Sequence, residues 1–290
     1  MKYLLILLTL IAACSQSKEK PMTIDIQGHR GARGLAPENS IPAFLMAAEM
    51  GVNTLELDLV VSKDHQLVVS HEPFFSPDFC LRPDGNRIPA DSIINIYQME
   101  YAEIKKFDCG SIGNPRFPDQ EKMSVYKPLL SEVLDQVKEA GFDSIRYNIE
   151  LKTQLETDSI FHPTPDIFSE LVVSLLKEKN LLDRVTIQSF DFRTLRYIRA
   201  NYPEIQLAAL IENELSWKDN IGQLSFTPEI YSSYYQLLSQ DIVKEIQTAG
   251  MRVVPWTVND SAEMKKLIAW GVDGIITDYP DRALKVIKRK

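Results

Sequence analysis

The residues best suited to chemistry sit in short alternating stretches. TLELDLVVS, starting at Thr54, places Glu56 and Asp58 two residues apart. On a strand, that spacing turns both carboxylates to one face and Leu55, Leu57 and Leu59 to the other. Neighbouring carboxylates taken out of water repel each other and lose hydration, at a cost of roughly several kcal/mol. A divalent cation removes that cost, and an all-oxygen donor set suits Ca2+ or Mg2+. An edge strand with a solvated polar face is the plainer alternative. RYNIELK, starting at Arg146, repeats the pattern: Asn148, Glu150 and Lys152 share one face, and Tyr147, Ile149 and Leu151 the other. Glu150 could be a third metal ligand and Lys152 a cation for an anionic substrate. The alternative is a Glu150–Lys152 ion pair on a solvated face.

The chain has four histidines. His29, in QGHRGARGLAPENS, and His71, in LVVSHE, terminate predicted strands. Imidazole titrates near neutral pH, so two strand-end histidines beside an acid cluster suggest a general acid and a general base. His65 in SKDHQL and His162 in FHPTP read as surface residues. Arg30 follows His29 and could supply charge to a phosphate. Gly28, Gly31 and Gly34 permit tight turning around them. Arg33 is expected in solvent and Glu38 beside a neighbour it orients. Asn39 or Ser40 should cap the next helix, with Pro42 in its first turn. Other strand ends offer Gln188 and Phe190 in TIQSF, Trp256 in VPWTVN and Asp278 in ITDYP. Trp256 serves equally well as core or as a stacking surface, and Asp278 as a helix cap.

These residues need a scaffold that gathers strand ends at one place. Strand patterns at TIDIQG, TLELDLVV, RYNIELK, RVTIQSF, QLAALI, EIYSSYY, RVVPWTV and GIITD mostly alternate with helical ones. SEVLDQVKEAG runs from a Ser N-cap to Gly141, DIFSELVVSLLKEKN follows two prolines, and SQDIVKEIQTAG and SAEMKKLIAWG run from polar caps to glycines. This α/β alternation predicts a parallel sheet closed into a (β/α)8 TIM barrel, with an open doubly wound sheet as runner-up. The rhythm breaks at about residues 72–127, which are rich in Pro, Gly and aromatics. That segment reads as a small insertion after the second strand, standing over the barrel mouth.

The balance of 32 Lys+Arg against 40 Asp+Glu, without a basic stripe, argues against a nucleic-acid partner. MK followed by YLLILLTLIAAC is too short to span a bilayer and reads as an export signal. LIAAC is similar to the lipobox of bacterial lipoproteins, which would make Cys14 a lipidation site; a simple signal peptide with an incidental Cys is the alternative. The expected layout is a leader at 1–13, a tether at 14–22 and a barrel domain at 23–290. The protein would be exported and held at a bacterial membrane by the lipid alone, facing the periplasm or the cell surface. With Cys14 lipidated, Cys80 and Cys109 form a disulfide candidate, or remain two buried thiols.

GHRG with PENS, ELDLVVSKD, VSHE, NIELK, QSF, PWTVN and GVDGIITDYP follow one another from about Ile24 to Pro280. In that order they resemble the glycerophosphodiester phosphodiesterases. The resemblance implies a TIM barrel, a catalytic pair His29 and His71, and one divalent cation on Glu56, Asp58 and Glu150. It also implies phosphate binding by Arg30 and Lys152, with Phe190 and Trp256 lining the glycerol side. HE stands at His71–Glu72 where HD is common in the family. The expected reaction converts a small glycerophosphodiester to sn-glycerol 3-phosphate and an alcohol such as choline or ethanolamine, with no protein partner implied. In the family, the neighbouring glycerol hydroxyl is thought to attack. A related barrel phosphodiesterase acting on lysophospholipids or inositol lipids is the alternative. An apolar mouth of Phe74, Phe75 and Phe79 would favour it.

Overall fold

The structure, a computed structural model, describes residues 24–288. The expected leader, lipidation site Cys14 and tether lie outside the described residues. The strands are β1 (Asp25–Gly28), β2 (Thr54–Val61), β3 (Leu67–Val69), β4 (Arg146–Leu151), β5 (Val185–Ser189), β6 (Gln206–Ile211), β7 (Ile230–Ser233), β8 (Arg252–Val253) and β9 (Gly274–Thr277). The helices are α1 (Ile41–Met50), α2 (Tyr101–Ile104), α3 (Leu130–Glu139), α4 (Pro165–Glu178), α5 (Phe192–Asn201), α6 (Trp217–Leu224), α7 (Gln240–Thr248), α8 (Ser261–Trp270) and α9 (Pro280–Lys288).

The sheet runs β8-β7-β6-β5-β4-β2-β1-β9, and every neighbouring pair along that path is parallel. Backbone bonds Asp273 N to Val253 O, 2.9 Å, and Ile276 N to Pro255 O, 3.0 Å, bring its two ends together. The chain therefore folds as a TIM barrel. β3 does not belong to the barrel path. It folds back antiparallel on β2, pairing Leu59 with Val69. The alternating pattern had merged it with the approach to His71. The insertion leaves from this return strand and rejoins the barrel at α3.

The predicted alternation is visible in the packing. Leu55, Leu57 and Leu59 are fully buried among the helices, in one core with Phe44, Val133 and Phe168. The barrel interior is divided. Ala208, Ile230, Val254 and Ile276 form an apolar cluster inside the late strands. On the early strands Gln27, Glu56, Asp58, Asn148, Glu150 and Gln188 are buried instead. The insertion has its own small core of Phe75, Cys80, Ile96, Ile104 and Phe107, with a disulfide between Cys80 and Cys109.

Helix ends follow local chemistry. Ser40 caps α1 by accepting from Ala43 N, Pro42 sits in the first turn, and Gly51 closes it at φ 94°. The start of α3 corrects the sequence expectation. Its N-cap is Leu129, not a serine, and the Glu132 carboxylate accepts from Leu129 N at 3.0 Å. A first-turn acid can satisfy the orphan amide without a capping hydroxyl.

Candidate active site

Strand register assembles the acids. Between β2 and β4, Asp58 lies opposite Glu150 and Glu56 opposite Asn148; between β4 and β5, Glu150 lies opposite Gln188. Glu56, Asp58 and Glu150 each offer a carboxylate oxygen within 4.8 Å of the others, and all are buried. An amide floor beneath them fixes the cluster. Asn148 donates to Gln27 at 2.8 Å and to Gln188 at 3.0 Å, and Gln188 donates to Glu56 at 2.8 Å. Arg30 N reaches the other Glu56 oxygen at 2.9 Å, and Asn39 donates to Asp58 Oδ2 at 2.8 Å. Among the described residues Asp58 Oδ1 accepts no hydrogen bond and has only the Lys152 ammonium, at 3.2 Å, as an ion-pair contact.

Electrostatics shows what this cluster lacks. Burial, and then the Asp58 charge, pushes the Glu56 carboxyl well above the usual carboxylate range. Burial raises Glu150 too, against the pull of Lys152. Burial also opposes ionisation of Asp58, but Lys152 and Arg30 outweigh it and hold that carboxyl well below its ordinary value. Lys152 Nζ lies 2.7 Å from Glu150 and 3.2 Å from Asp58. Lys152 pairs with Glu150 and Asp58, and Arg30, shared with Glu38, lies 3.2 Å from Asp58, so three clustered carboxylates have fewer positive charges than negative ones and Glu56 has no ion-pair partner among the described residues. Three clustered carboxylate oxygen donors, one of them on Asp58 without a hydrogen bond, fit a hard divalent cation.

The two histidines face the same cavity, about 400 Å3 in volume, with Arg30, Glu56, Glu150, Lys152, Gln188, Phe190 and Trp256. His29 is buried, and its Nδ1 meets Asp278 at 2.6 Å. Asp278 also accepts from Asn259 at 2.7 Å. Burial resists its ionisation, yet His29, Arg33 and Asn259 draw its carboxyl down to about 2. His29 therefore presents Nδ1–H to a carboxylate and leaves Nε2 with its lone pair. Burial lowers the His29 pKa despite Asp278. His71 is half-exposed, and its Nδ1 lies 2.7 Å from Glu72. Glu72 is held at about 2, burial opposing and the His71 hydrogen bond prevailing.

A second cavity of about 980 Å3 opens beside the first and shares His71, Glu150, Lys152, Phe190, Leu210 and Glu212 with it. Phe190, 42% exposed, stands edge-on to Trp256 at 5.5 Å between ring centres.

Several sequence expectations need correction. Arg33 is buried, not solvated, because Glu38 bridges it at 2.8 Å and Arg30 at 2.7 Å. Glu38 thus braces two guanidiniums. Asp278 partners His29 rather than simply capping a helix. His162 is buried, accepting from Gln154 N at 3.0 Å, whereas His65 is exposed. Of the expected Phe74, Phe75 and Phe79 mouth, Phe75 stacks on Phe107 inside the insertion core and Phe79 packs against that core, which leaves only the half-buried Phe74, 6.4 Å from the Phe161 ring. The lysophospholipid alternative loses that support. Lys127 was missed; it is a buried amine donating to Ser70 Oγ at 2.8 Å beside the His71 segment.

Known proteins share this architecture. Residues 29–282 match the glycerophosphoryl diester phosphodiesterase family. A glycerophosphodiester phosphodiesterase of Bacillus subtilis is 30% identical, the alignment covering 96% of this chain and 91% of that one. Another, from Caldanaerobacter subterraneus, is 29% identical over 90% of this chain and 96% of its own. The crystal structure of a glycerophosphodiester phosphodiesterase from Parabacteroides distasonis superposes with a TM-score of 0.68 at 26% identity, covering 92% of this chain and 98% of that one. The chain belongs to the glycerophosphoryl diester phosphodiesterase family and is a phosphoric diester hydrolase.

Proposed function

We propose that the protein hydrolyses small glycerophosphodiesters to sn-glycerol 3-phosphate and an alcohol, with one divalent cation and two histidines. The observation that carries this reading is a single cavity lined by His29, His71, Arg30, Lys152, Glu56 and Glu150, with Asp58 completing the carboxylate cluster. Glu56, Asp58 and Glu150 would hold the cation, which supplies Lewis-acid stabilisation of phosphoryl oxygens. Ca2+ and Mg2+ both suit the donor set.

The chain's own groups divide the remaining work. Arg30 and Lys152 face the phosphate as fixed positive charges and stabilise the negative charge that builds during displacement. His29, with Nε2 unprotonated, takes the proton of the attacking hydroxyl. His71 gives a proton to the departing alkoxide, because it alone of the pair also lines the larger cavity where a leaving group fits. Glu72 and solvent both reach its ring. Phe190 and Trp256 wall the glycerol side. The cycle balances in two halves: His29 takes the proton of the neighbouring glycerol hydroxyl as His71 protonates the departing alkoxide, giving a cyclic phosphate; water then opens that ring, His71 taking the water proton and His29 returning its own to the glycerol oxygen, so both histidines end as they began.

Incubation with glycerophosphocholine and with lysophosphatidylcholine tests the substrate class. The account predicts sn-glycerol 3-phosphate and choline from the first and little turnover of the second; the reverse preference overturns it. The apolar run ahead of Cys14 supports export and attachment to a membrane by a lipid on that cysteine. Mass spectrometry of the mature N-terminus checks this, and an unmodified Cys14 ends the proposal.

A further inference from the structure

Four basic side chains line the inner cavity, and only one makes no ion pair among the described residues. Arg30 is bridged to Glu38 and Asp58, Arg33 to Glu38, and Lys152 to Glu150 and Asp58. Arg116 has no acid partner, and it comes from the insertion rather than the barrel.

The loop that carries Arg116 is built to hold it in place. Just ahead of the loop, Cys109 is fixed by its disulfide and by Cys109 N donating to Val125 O at 2.7 Å. Asp108 Oδ1 then accepts from Gly110 N at 3.0 Å and Ser111 N at 3.1 Å. Asn114 Oδ1 accepts from Arg116 N at 3.1 Å. Beyond it, Gln120 Nε2 donates to Arg33 O at 2.7 Å and Glu121 N to Leu35 O at 2.8 Å. Two guanidiniums approach the buried Phe117 ring, Arg33 at 4.7 Å and Arg116 at 5.8 Å from its centre. The insertion is thereby locked to the loop that carries His29 and Arg30.

We propose that Arg116 is a substrate-contacting residue that binds the phosphoryl oxygens turned towards the mouth, and that it favours a phosphate monoester over a diester. The deeper cations are already engaged by carboxylates. An unpaired planar guanidinium offers two parallel donors to phosphate oxygens. A diester brings one negative charge, whereas the monoester released by cleavage approaches two at neutral pH. A free cation at the mouth therefore holds the product more tightly than the substrate. The insertion becomes a determinant of product retention as well as a cover over the site.

The inference rests on the phosphodiesterase reading, and the test separates the two. Wild-type protein, Arg116→Ala and Arg116→Lys are assayed on glycerophosphocholine, with inorganic phosphate and sn-glycerol 3-phosphate as inhibitors. Arg116→Ala should raise KM about threefold and both inhibition constants about tenfold or more, with kcat moving less than KM. Arg116→Lys should recover part of that loss. Equal thermal melting of the three proteins shows that the loop itself is intact. Inhibition constants that move no more than KM overturn the preference for the monoester, and unchanged values throughout overturn the contact. A wild-type protein that releases no glycerol 3-phosphate overturns the parent reading instead.

Discussion

His29 and His71 stand at one cavity with matching first contacts, a ring nitrogen 2.6 Å from Asp278 and 2.7 Å from Glu72. Behind those contacts they differ. Asp278 is buried, anchored by Asn259, and lies 3.8 Å from the buried Arg33. Its backbone N also donates to Asn259 Oδ1 at 2.9 Å. Glu72 is half-exposed and adjacent in sequence to its histidine, and it opens the insertion. That segment is tied by Ser70 Oγ to Glu72 O at 2.6 Å and by Lys127 to Ser70. One histidine is fixed by the barrel core; the other is set by a loop that lines the larger cavity. A deep, neutral imidazole suits proton removal, and a wetter one beside an ionised carboxylate suits proton donation.

Four changes probe that difference. His29→Ala and His71→Ala should each cut kcat/KM on the order of 10² or more with the fold intact, measured by glycerol 3-phosphate release and circular dichroism. A near-normal rate in either removes that residue from the mechanism. Asp278→Asn should cost on the order of tenfold or more in kcat, because the carboxylate that fixes the His29 tautomer is lost. Glu72→Gln should cost a few-fold at most, since solvent reaches this half-exposed carboxylate and can take its place. Equal losses at the two positions would erase the proposed asymmetry. The smallest effect is in pH dependence. Burial lowers the His29 pKa and Asp278 partly restores it. Activity should fall as pH drops through that lowered value, below the ordinary imidazole range of about 6.5, because the base gains a proton. In Asp278→Asn the acid limb should move to still lower pH. A shift the other way contradicts the account.

The sequence made the carboxylates legible because strand alternation has a period of two. Glu56, Asp58 and Glu150 announce a shared face against three leucines, and register then places them together. The barrel was readable for the same reason, from repeated apolar strands between capped helices. The partners of His29 were not. Asp278 lies 249 residues away and meets His29 through the pairing of β1 with β9. No local pattern encodes that contact. Arg33 and Glu38 form a buried ionic brace in a Gly-rich turn, where polar residues usually mean solvent. Gly34 hints at the close packing, since a side chain there would strike the Tyr279 ring. β3 was hidden because its apolar residues continued the approach to His71. His162 was hidden because its burial depends on the folding of its own loop, through Gln154 and Thr157.

The central claim is that Glu56, Asp58 and Glu150 hold a divalent cation needed for turnover. The direct measurement is release of sn-glycerol 3-phosphate from glycerophosphocholine before and after EDTA, followed by addition of Ca2+ or Mg2+. The account predicts that release stops with the chelator and returns with one of the two ions. Release that continues undiminished in metal-free protein would contradict it.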